Sequence, residues 1–221
     1  MSAVAAWPPG AEWQPSLLDE ATGPATIDSA FVSVERVELD PESWVDYAPG
    51  WISGADGLFA DLLTSTAWGQ RTRWMYDRQV VEPRLTSSWR AESGEALAPA
   101  VLEDMRRALS TRYGVELDSM GLNLYRDGRD SVAWHGDRIA RAIERPIVAL
   151  VSLGSPRTFL LRPKGGGRSR PFELGRGDLL VTGGRTQRLW EHSVPKVAGA
   201  VGPRISLAFR HGMTGKVYGE R

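Results

Sequence analysis

The C-terminal half of the chain, from Gly121 onward, consists of short apolar segments separated by glycine-rich turns. The segments have the length and composition of β-strands, and some alternate apolar with polar residues. They are GLNLY (121–125), PIVALVSLG (146–154), RTFLLR (157–162), DLLVT (178–182) and RISLAFR (204–210), with glycines clustered at 165–167, 175–177 and 183–184. Regularly spaced short strands predict a β-sandwich or barrel. A jelly roll fits best, because its open mouth collects side chains from different strands.

The N-terminal half predicts one strand and two helices that would flank this β-structure. Residues 30–39 alternate apolar with polar side chains, which indicates a half-buried strand. Apolar residues at helical spacing over 58–63 predict a helix with Asp56 as its N-cap. A second helix is expected from Pro99 to Tyr113, with Gly114 ending it. We therefore expect a mainly β fold with flanking helices.

Composition bounds the class of protein. The 221 residues, 42% hydrophobic and 24% charged, are enough for one globular domain with a substantial core. Cysteine is absent, which excludes disulfides and thiolate metal sites. The first ten residues lack a secretory pattern, and no apolar run is long enough to span a bilayer. We expect a cytoplasmic protein with neither a membrane nor an obligate protein partner.

Charge is unevenly distributed although the net charge is zero. Residues 1–61 carry eleven acidic side chains against the single Arg36, whereas residues 126–188 carry thirteen basic against six acidic ones. A basic stretch suggests an anionic substrate, of which nucleic acid is the commonest. The alternative is a solvated surface that the acidic half neutralises.

A segment from Trp68 to Trp89 interleaves aromatic with basic residues. Its aromatic residues are Trp68, Trp74, Tyr76 and Trp89, and its arginines are Arg71, Arg73, Arg78 and Arg84, followed by Arg90. Sequence of this kind can stack bases and hold phosphates. Aromatic residues in mixed segments also commonly form part of a hydrophobic core, and the sequence leaves both interpretations open.

Two histidines and one aspartate form a candidate metal site. His135 and Asp137 are two residues apart, so an extended backbone would project both side chains to one face. With His192 they would complete the two-histidine, one-carboxylate triad that binds non-haem Fe(II) and leaves coordination positions open. Each part is weak alone: the first pair could be a surface histidine beside a solvated aspartate, and His192 could be a core residue. The third histidine, His211, is expected on the surface.

The last strand strengthens the case for a metal enzyme. Ile205, Leu207 and Phe209 would face one side of it, and Arg204, Ser206, Ala208 and Arg210 the other. Two arginines beside small residues on an inner face would be costly unless an anion pairs with them. A short dicarboxylate between their tips would satisfy both. The alternative is an exposed edge strand whose arginines are hydrated.

Taken together, these motifs resemble the AlkB-type Fe(II)/2-oxoglutarate-dependent dioxygenases, which repair alkylated nucleic-acid bases. The resemblance covers 121–211 in the family's order, and is only loose over 30–100, where Glu82-Pro83-Arg84 matches best. The matching motifs are Asn123 to Gly128, His135-Gly136-Asp137, PIVALVSLG, RTFLLR, Gly177 to Leu180, Trp190 to Pro195 and Arg204 to Arg210. The family implies a double-stranded β-helix (a cupin-like jelly roll). Substrate recognition is expected in 30–100 and catalysis in 121–211 of one domain at 26–215. Residues 1–25, which are rich in Pro, Ala, Gly and Trp without a period, are expected to form a poorly ordered extension.

The resemblance also implies roles for individual residues. His135, Asp137 and His192 would bind Fe2+ and be the catalytic residues. The co-substrate 2-oxoglutarate would be held by Asn123, Tyr125, Arg204 and Arg210, with Ser206 a weaker candidate because the family often has Asn at that position. Arg138 stands where some relatives have a second acid, which puts recognition of the base's amino group at that position in doubt.

The activity implied is oxidative demethylation of N-alkylated bases in DNA or RNA with O2, which releases formaldehyde, succinate and CO2. A base must leave the stack to reach the iron. Trp74, Tyr76 or Trp89 would stack on it, and Arg84 and Arg138 would hold phosphates. Two alternatives remain: a related hydroxylase of a protein or small molecule, and an inactive jelly roll that only binds nucleic acid.

Overall fold

Antiparallel β-sheet is the main regular structure of the described chain. A computed structural model describes residues 23–75, 77–137, 139 and 143–213. Of the extension predicted at 1–25, residues 1–22 lie outside the described residues. The large sheet has eight strands, in the spatial order β2 (Glu35–Asp40), β3 (Ser43–Ala48), β12 (Leu179–Gly184), β9 (Val148–Gly154), β14 (Arg204–His211), β7 (Leu117–Tyr125), β6 (Arg78–Arg90) and β5 (Gly69–Met75).

A smaller sheet packs against one face of the large one. Its four antiparallel strands are, in spatial order, β11 (Arg170–Leu174), β10 (Arg157–Pro163), β13 (Trp190–Val194) and β8 (Val132–His135). Buried side chains from both sheets, such as Phe159, Leu161, Tyr125 and Leu180, form one apolar cluster between them. The predicted mainly β jelly roll is confirmed. A separate two-stranded ribbon joins β1 (Thr26–Ile27) to β4 (Ile52–Ser53).

Two helices cover the other face of the large sheet. Helix α1 (Ala55–Ser65) and helix α2 (Val101–Tyr113) pack their apolar stripes, which include Phe59 and Leu109, into the main core. Gly114 ends α2 in the left-handed conformation (φ 65°), as predicted. A short helix α3 (Thr186–Leu189) connects β12 to β13.

Strand β14 lies in the middle of the large sheet, between β9 and β7. Ile205, Leu207 and Phe209 enter the main core, as the alternation predicted. Arg204 is also buried, so the alternative of an exposed edge strand is wrong. The helices cover the face of β14 that carries Ile205, Leu207 and Phe209, and the smaller sheet covers the other face. Because side chains alternate along a strand, Arg204 and Arg210 point toward the smaller sheet.

The N-terminal predictions need correction at their boundaries. The strand expected at 30–39 begins only at Glu35, because Phe31 has a positive φ (54°) and lies in a turn. The N-cap of α1 is Gly54 in the left-handed conformation, and Asp56 is buried in the first turn. Helix α2 begins at Val101 rather than Pro99. No helix in the described part of the chain is long and apolar enough to cross a membrane.

Candidate metal centre and co-substrate pocket

The two histidines lie side by side on adjacent strands of the smaller sheet. His135 ends β8 and His192 lies in β13, and the antiparallel register pairs them directly. Directly paired residues project to the same face of a sheet. The ring centroids are 4.2 Å apart. Strand pairing therefore brings together two side chains that are distant in sequence.

Asp137 follows β8 in a loop and completes the cluster. One ligand atom from each of His135, Asp137 and His192 can be chosen so that all three lie within 4.8 Å of one another. Two imidazole nitrogens and one carboxylate oxygen are the donor set that non-haem iron prefers. The cluster therefore fits Fe(II).

Neighbouring groups orient both rings. His135 Nδ1 lies 2.8 Å from the carbonyl oxygen of Ala133, a contact in which Nδ1 must donate, and this leaves Nε2 as the ring nitrogen for a metal. Phe159 stacks on the His192 ring, with centroids 5.2 Å apart and planes at 25°. Each ring is thus held in place before any metal binds.

The protonation states of the cluster suit a cation. Burial, and then the nearby His135, lower the pKa of His192 to about 3, so its imidazole is neutral near pH 7. Burial raises the pKa of Asp137, but Arg210 and His192 oppose this effect, and the pKa falls to about 2. A neutral imidazole and an ionised carboxylate are the forms that bind a metal.

Arg210 is bonded to the aspartate of the cluster. Its Nε donates to Asp137 Oδ2 at 3.0 Å, which leaves Oδ1 for a metal. Gly121 on β7 makes room for this arginine, because a Cβ at that position would lie 3.2 Å from Arg210 Nη1. The second predicted co-substrate arginine therefore lies beside the metal cluster.

Arg204 lies further along the same face of β14 and is almost fully buried, with 1% of its surface exposed. Its Nε donates to Ser152 Oγ at 2.9 Å, and its guanidinium carbon lies 5.3 Å from the centroid of the Tyr125 ring. Nη1 has no hydrogen-bond partner among the residues that the structure describes. A buried cation with an unpaired donor is costly alone and suits an anionic ligand. The buried guanidinium of Arg204 could therefore pair with a carboxylate, and its contact with 2-oxoglutarate stays a prediction.

The other predicted co-substrate residues lie around Arg204. Tyr125 and Ser206 are buried, and Ser206 is the cross-strand partner of Asn123. Burial raises the pKa of Tyr125, against the opposing effect of Arg204, so the phenol is neutral and can donate a hydrogen bond. Asn123 Oδ1 accepts a hydrogen bond from Arg84 Nε at 3.0 Å, which leaves its NH2 group to donate.

Arg84 occupies a different environment from the one predicted. Its Nη2 lies 2.9 Å from Glu82 Oε2, and its side chain is only 14% exposed. The guanidinium bridges Glu82 and Asn123, so it supports the co-substrate pocket from β6. Direct contact of Arg84 with a phosphate remains a prediction.

The predicted aromatic contacts separate into two groups. Trp74 on β5 is 71% exposed. Trp89 on β6 packs against the main core, and its Nε1 donates to the carbonyl oxygen of Glu95. Its cross-strand partner Met120 faces that core, and directly paired residues project to the same face of a sheet, so Trp89 also faces the core. These contacts favour the core interpretation for this tryptophan, and its role in base stacking stays a prediction. Tyr76 and Arg138 lie outside the described residues.

Five arginines of the basic stretch 126–188 form ion pairs. Some of its arginines pair with acids of the N-terminal part, as the neutralisation alternative expected, and others pair locally. These ion pairs are Arg185–Glu42, Arg176–Asp56, Arg126–Asp130, Arg129–Asp127 and Arg162–Glu191. The charge balance alone therefore does not define a nucleic-acid surface.

Several residues of the site had no signal in the sequence. Gln187 accepts a hydrogen bond from the backbone N–H of Asp137 at 3.1 Å. Buried Arg157 donates to the carbonyl oxygens of Asp127, Asp130 and Pro195, and so ties together the loops that precede β8 and follow β13. An isolated glutamine or arginine in sequence does not reveal such contacts.

The prediction for His211 is also wrong. The imidazole is half-buried, and its Nε2 accepts a hydrogen bond from the backbone N–H of Ile147 at 3.0 Å. Burial lowers its pKa. It is a structural residue of the sheet end, separate from the metal cluster.

Comparison with known proteins identifies the family. The family model of the 2OG-Fe(II) oxygenase superfamily matches residues 63–210. The chain is 33% identical to alpha-ketoglutarate-dependent dioxygenase alkB homolog 3 of Homo sapiens, over 86% of this chain and 73% of that protein. It is 30% identical to DNA oxidative demethylase ALKBH2 of Arabidopsis thaliana, over 65% of this chain and 57% of that protein.

A solved structure supports the fold. The structure of OsALKBH1 superimposes on 80% of this chain, and all of that chain is covered, with a TM-score of 0.56 and 16% identity. At this identity the likeness concerns the fold alone. The sequence matches give the family, and the donor set of the cluster agrees with it. This chain belongs to the 2OG-Fe(II) oxygenase superfamily and, within it, to the AlkB-type Fe(II)/2-oxoglutarate-dependent dioxygenases.

Proposed function

We propose that this enzyme oxidatively demethylates N-alkylated bases in DNA or RNA. The observation that carries the proposal is the position of the cluster His135, Asp137 and His192 between the sheets, facing the arginines of β14. The names of its relatives, an AlkB homolog and a DNA oxidative demethylase, support alkylated nucleic acid as the substrate class.

The three residues of the cluster would hold Fe(II), and Arg204 would bind the distal carboxylate of 2-oxoglutarate through its unpaired Nη1. With Fe(II) and 2-oxoglutarate bound, the chemistry supplied is oxidation of an N-methyl group by O2, which yields the demethylated base, formaldehyde, succinate and CO2. Tyr125 and Asn123 would donate hydrogen bonds to the co-substrate from the neighbouring strand.

Two neighbouring arginines orient these groups. Arg210 holds Asp137 through one carboxylate oxygen and keeps it ionised, which leaves the other oxygen for the metal. Arg84 fixes the amide of Asn123. The protein thus contributes position, and the cofactor and co-substrate contribute the oxidation.

The hairpin of β5 and β6 is the proposed contact with nucleic acid. Beyond Leu85, which pairs with β7, strand β6 continues seven residues to Arg78, with β5 as its partner. At about 3.3 Å per residue the hairpin extends roughly 20 Å past that pair. Exposed Trp74 and Val81 lie on it among arginines, an arrangement suited to base stacking and phosphate contacts.

A substrate panel tests the proposal. The purified enzyme with Fe(II), 2-oxoglutarate and O2 is offered N-methylated DNA, N-methylated RNA and matched unmodified oligonucleotides, and both succinate and formaldehyde are measured. We expect stoichiometric release of both with at least one methylated oligonucleotide and only background release with the unmodified controls. Sequencing of the products identifies the lesion removed.

The same panel separates the rival functions. Stimulation of 2-oxoglutarate turnover by proteins or small molecules, but by no methylated oligonucleotide, would support a hydroxylase of another substrate. Oligonucleotide binding without any succinate would indicate an inactive binding protein. Either result would contradict the proposal. A cytoplasmic location also remains a proposal, which imaging of the tagged protein in cells would test.

Removal of the exposed tryptophan should weaken substrate binding alone. We expect Trp74→Ala to raise the KM for a methylated oligonucleotide roughly 5- to 100-fold, because stacking of one base contributes about 1–3 kcal/mol. The thermal unfolding temperature and the affinity for 2-oxoglutarate should stay at parent values, because Trp74 lies outside both cores.

Two control variants sharpen this measurement. Trp74→Phe retains an aromatic face and should recover most of the parent KM. Val32→Ala shortens an apolar side chain that is also exposed (84%), in the turn before β2 at the opposite edge of the large sheet, and should leave this KM unchanged. A parent-like KM in Trp74→Ala would exclude the side chain from substrate binding.

A further inference from the structure

Asp137, the aspartate of the metal cluster, lies outside any β-strand. Strand β8 ends at His135, and Asp137 follows in a loop. Two contacts fix it: Arg210 Nε bonds its carboxylate, and its backbone N–H donates to Gln187 Oε1 at 3.1 Å. The position of the carboxylate therefore depends on residues outside its own strand.

Gln187 is itself held from both sides. Only 2% of its surface is exposed, and its Nε2 donates to Thr182 Oγ1 at 2.9 Å. The backbone N–H of Asp137 can only donate, so the amide atom that faces it must be the oxygen, and the NH2 group must face Thr182. Thr182 is 1% exposed on β12. The amide is therefore locked in the one orientation that binds the Asp137 backbone.

The residue between the two ligands also packs on Gln187. A Cβ added to Gly136 would lie 3.2 Å from the Gln187 carbonyl oxygen and 3.4 Å from Lys164 Cε. Lys164 Nζ in turn donates to that carbonyl at 3.2 Å. The loop that carries Asp137 thus rests on the start of α3, where Gln187 provides both backbone and side-chain contacts.

We infer that Gln187 is a positioning residue that sets the place of Asp137 for metal binding. The inference rests on the proposed role of Asp137 as a metal ligand. Groups that hold a metal ligand in place typically change metal affinity or activity ten- to a hundredfold when they are removed. Gln187 would act through the backbone of the ligand, whereas Arg210 acts through its carboxylate.

The test is the affinity of the full-length apoprotein for Mn(II), followed by the EPR signal of the free ion. Gln187→Met keeps the length of the side chain but makes neither hydrogen bond, and we expect roughly tenfold or greater loss of Mn(II) affinity. Thr182→Val leaves Gln187 in place but removes its anchor, and should give a smaller loss. The matched control Gln79→Met, at an exposed glutamine of the hairpin, should bind Mn(II) like the parent.

The outcomes distinguish positioning from general stability. If Gln187 only stabilised the fold, the variants would unfold at lower temperature but bind Mn(II) like the parent while folded, and the inference would be overturned. If Gln187→Met does not fold, Gln187→Asn, which is too short to make both bonds, replaces it with the same expectation. A parent that binds Mn(II) but demethylates no oligonucleotide would refute the proposed function only. A parent that binds no Mn(II) would refute both.

Discussion

His135→Ala is expected to give a folded protein that neither binds the metal nor turns over. His135 is half-buried at the end of β8, an edge strand of the smaller sheet, so its loss should change the free energy of unfolding by no more than about 1 kcal/mol. Removal of one of three ligands should cost more metal affinity than the ten- to hundredfold lost with an outer-shell partner. Succinate release should fall to the level without enzyme.

A second histidine provides the control for this variant. His211 is half-buried in the same way, but its Nε2 bonds the backbone of Ile147 and it does not belong to the metal cluster. His211→Ala should lose some stability and retain Mn(II) affinity and turnover. Turnover by His135→Ala at more than a few per cent of the parent rate would remove this histidine from the metal site.

The central strands of the fold could be predicted because they are buried on both faces. The apolar run in 146–154 predicted β9, and the alternation of apolar with polar or small residues in 204–210 predicted β14. Strands β8 and β11, at the two edges of the smaller sheet, have mixed composition and gave no comparable signal. The strands that were missed therefore include one that carries a metal ligand.

The metal cluster could be predicted only in part from local sequence. The two-residue spacing of His135 and Asp137 is a local feature, but their union with His192 depends on the pairing of β8 with β13. The spacing of residues along the chain does not predict which strands pair. The grouping of His192 with the other two residues was instead implied by the family resemblance. Gln187 shows the same limit, because its contact with Asp137 spans fifty residues.

The face on which a side chain lies could not be assigned where the strand itself was missed. The segment 68–89 was recognised as basic and aromatic, but its division into β5 and β6 was not. Without the register, Trp74 and Trp89 were equivalent candidates. In the structure one is exposed on the hairpin and the other packs into the core.

Arg204→Met should remove most of the affinity for 2-oxoglutarate. The methionine fills much of the same volume but cannot bind a carboxylate. A hydrogen bond between a buried guanidinium and a carboxylate contributes about 1.5–3 kcal/mol, so we expect the KM for 2-oxoglutarate to rise roughly ten- to a hundredfold. Arg204→Lys keeps the charge but lacks the planar guanidinium, so its KM for 2-oxoglutarate should lie between those of the parent and of Arg204→Met. Arg129→Met, at an arginine whose side chain is 88% exposed, is the control and should leave this KM unchanged.

Although Arg204→Met should weaken the binding of 2-oxoglutarate, it should not lower the stability of the apoprotein. Without co-substrate, Arg204 is a buried cation whose Nη1 has no partner among the described residues, and such a group costs free energy. An apolar side chain of similar volume at this position removes the cost of burying the charge. We therefore expect the variant to unfold at the same temperature as the apo parent or higher, and to lose the rise in unfolding temperature that 2-oxoglutarate gives the parent. A variant that is strongly destabilised yet keeps the parent KM would mean that Arg204 supports the fold, and that 2-oxoglutarate is bound by other residues.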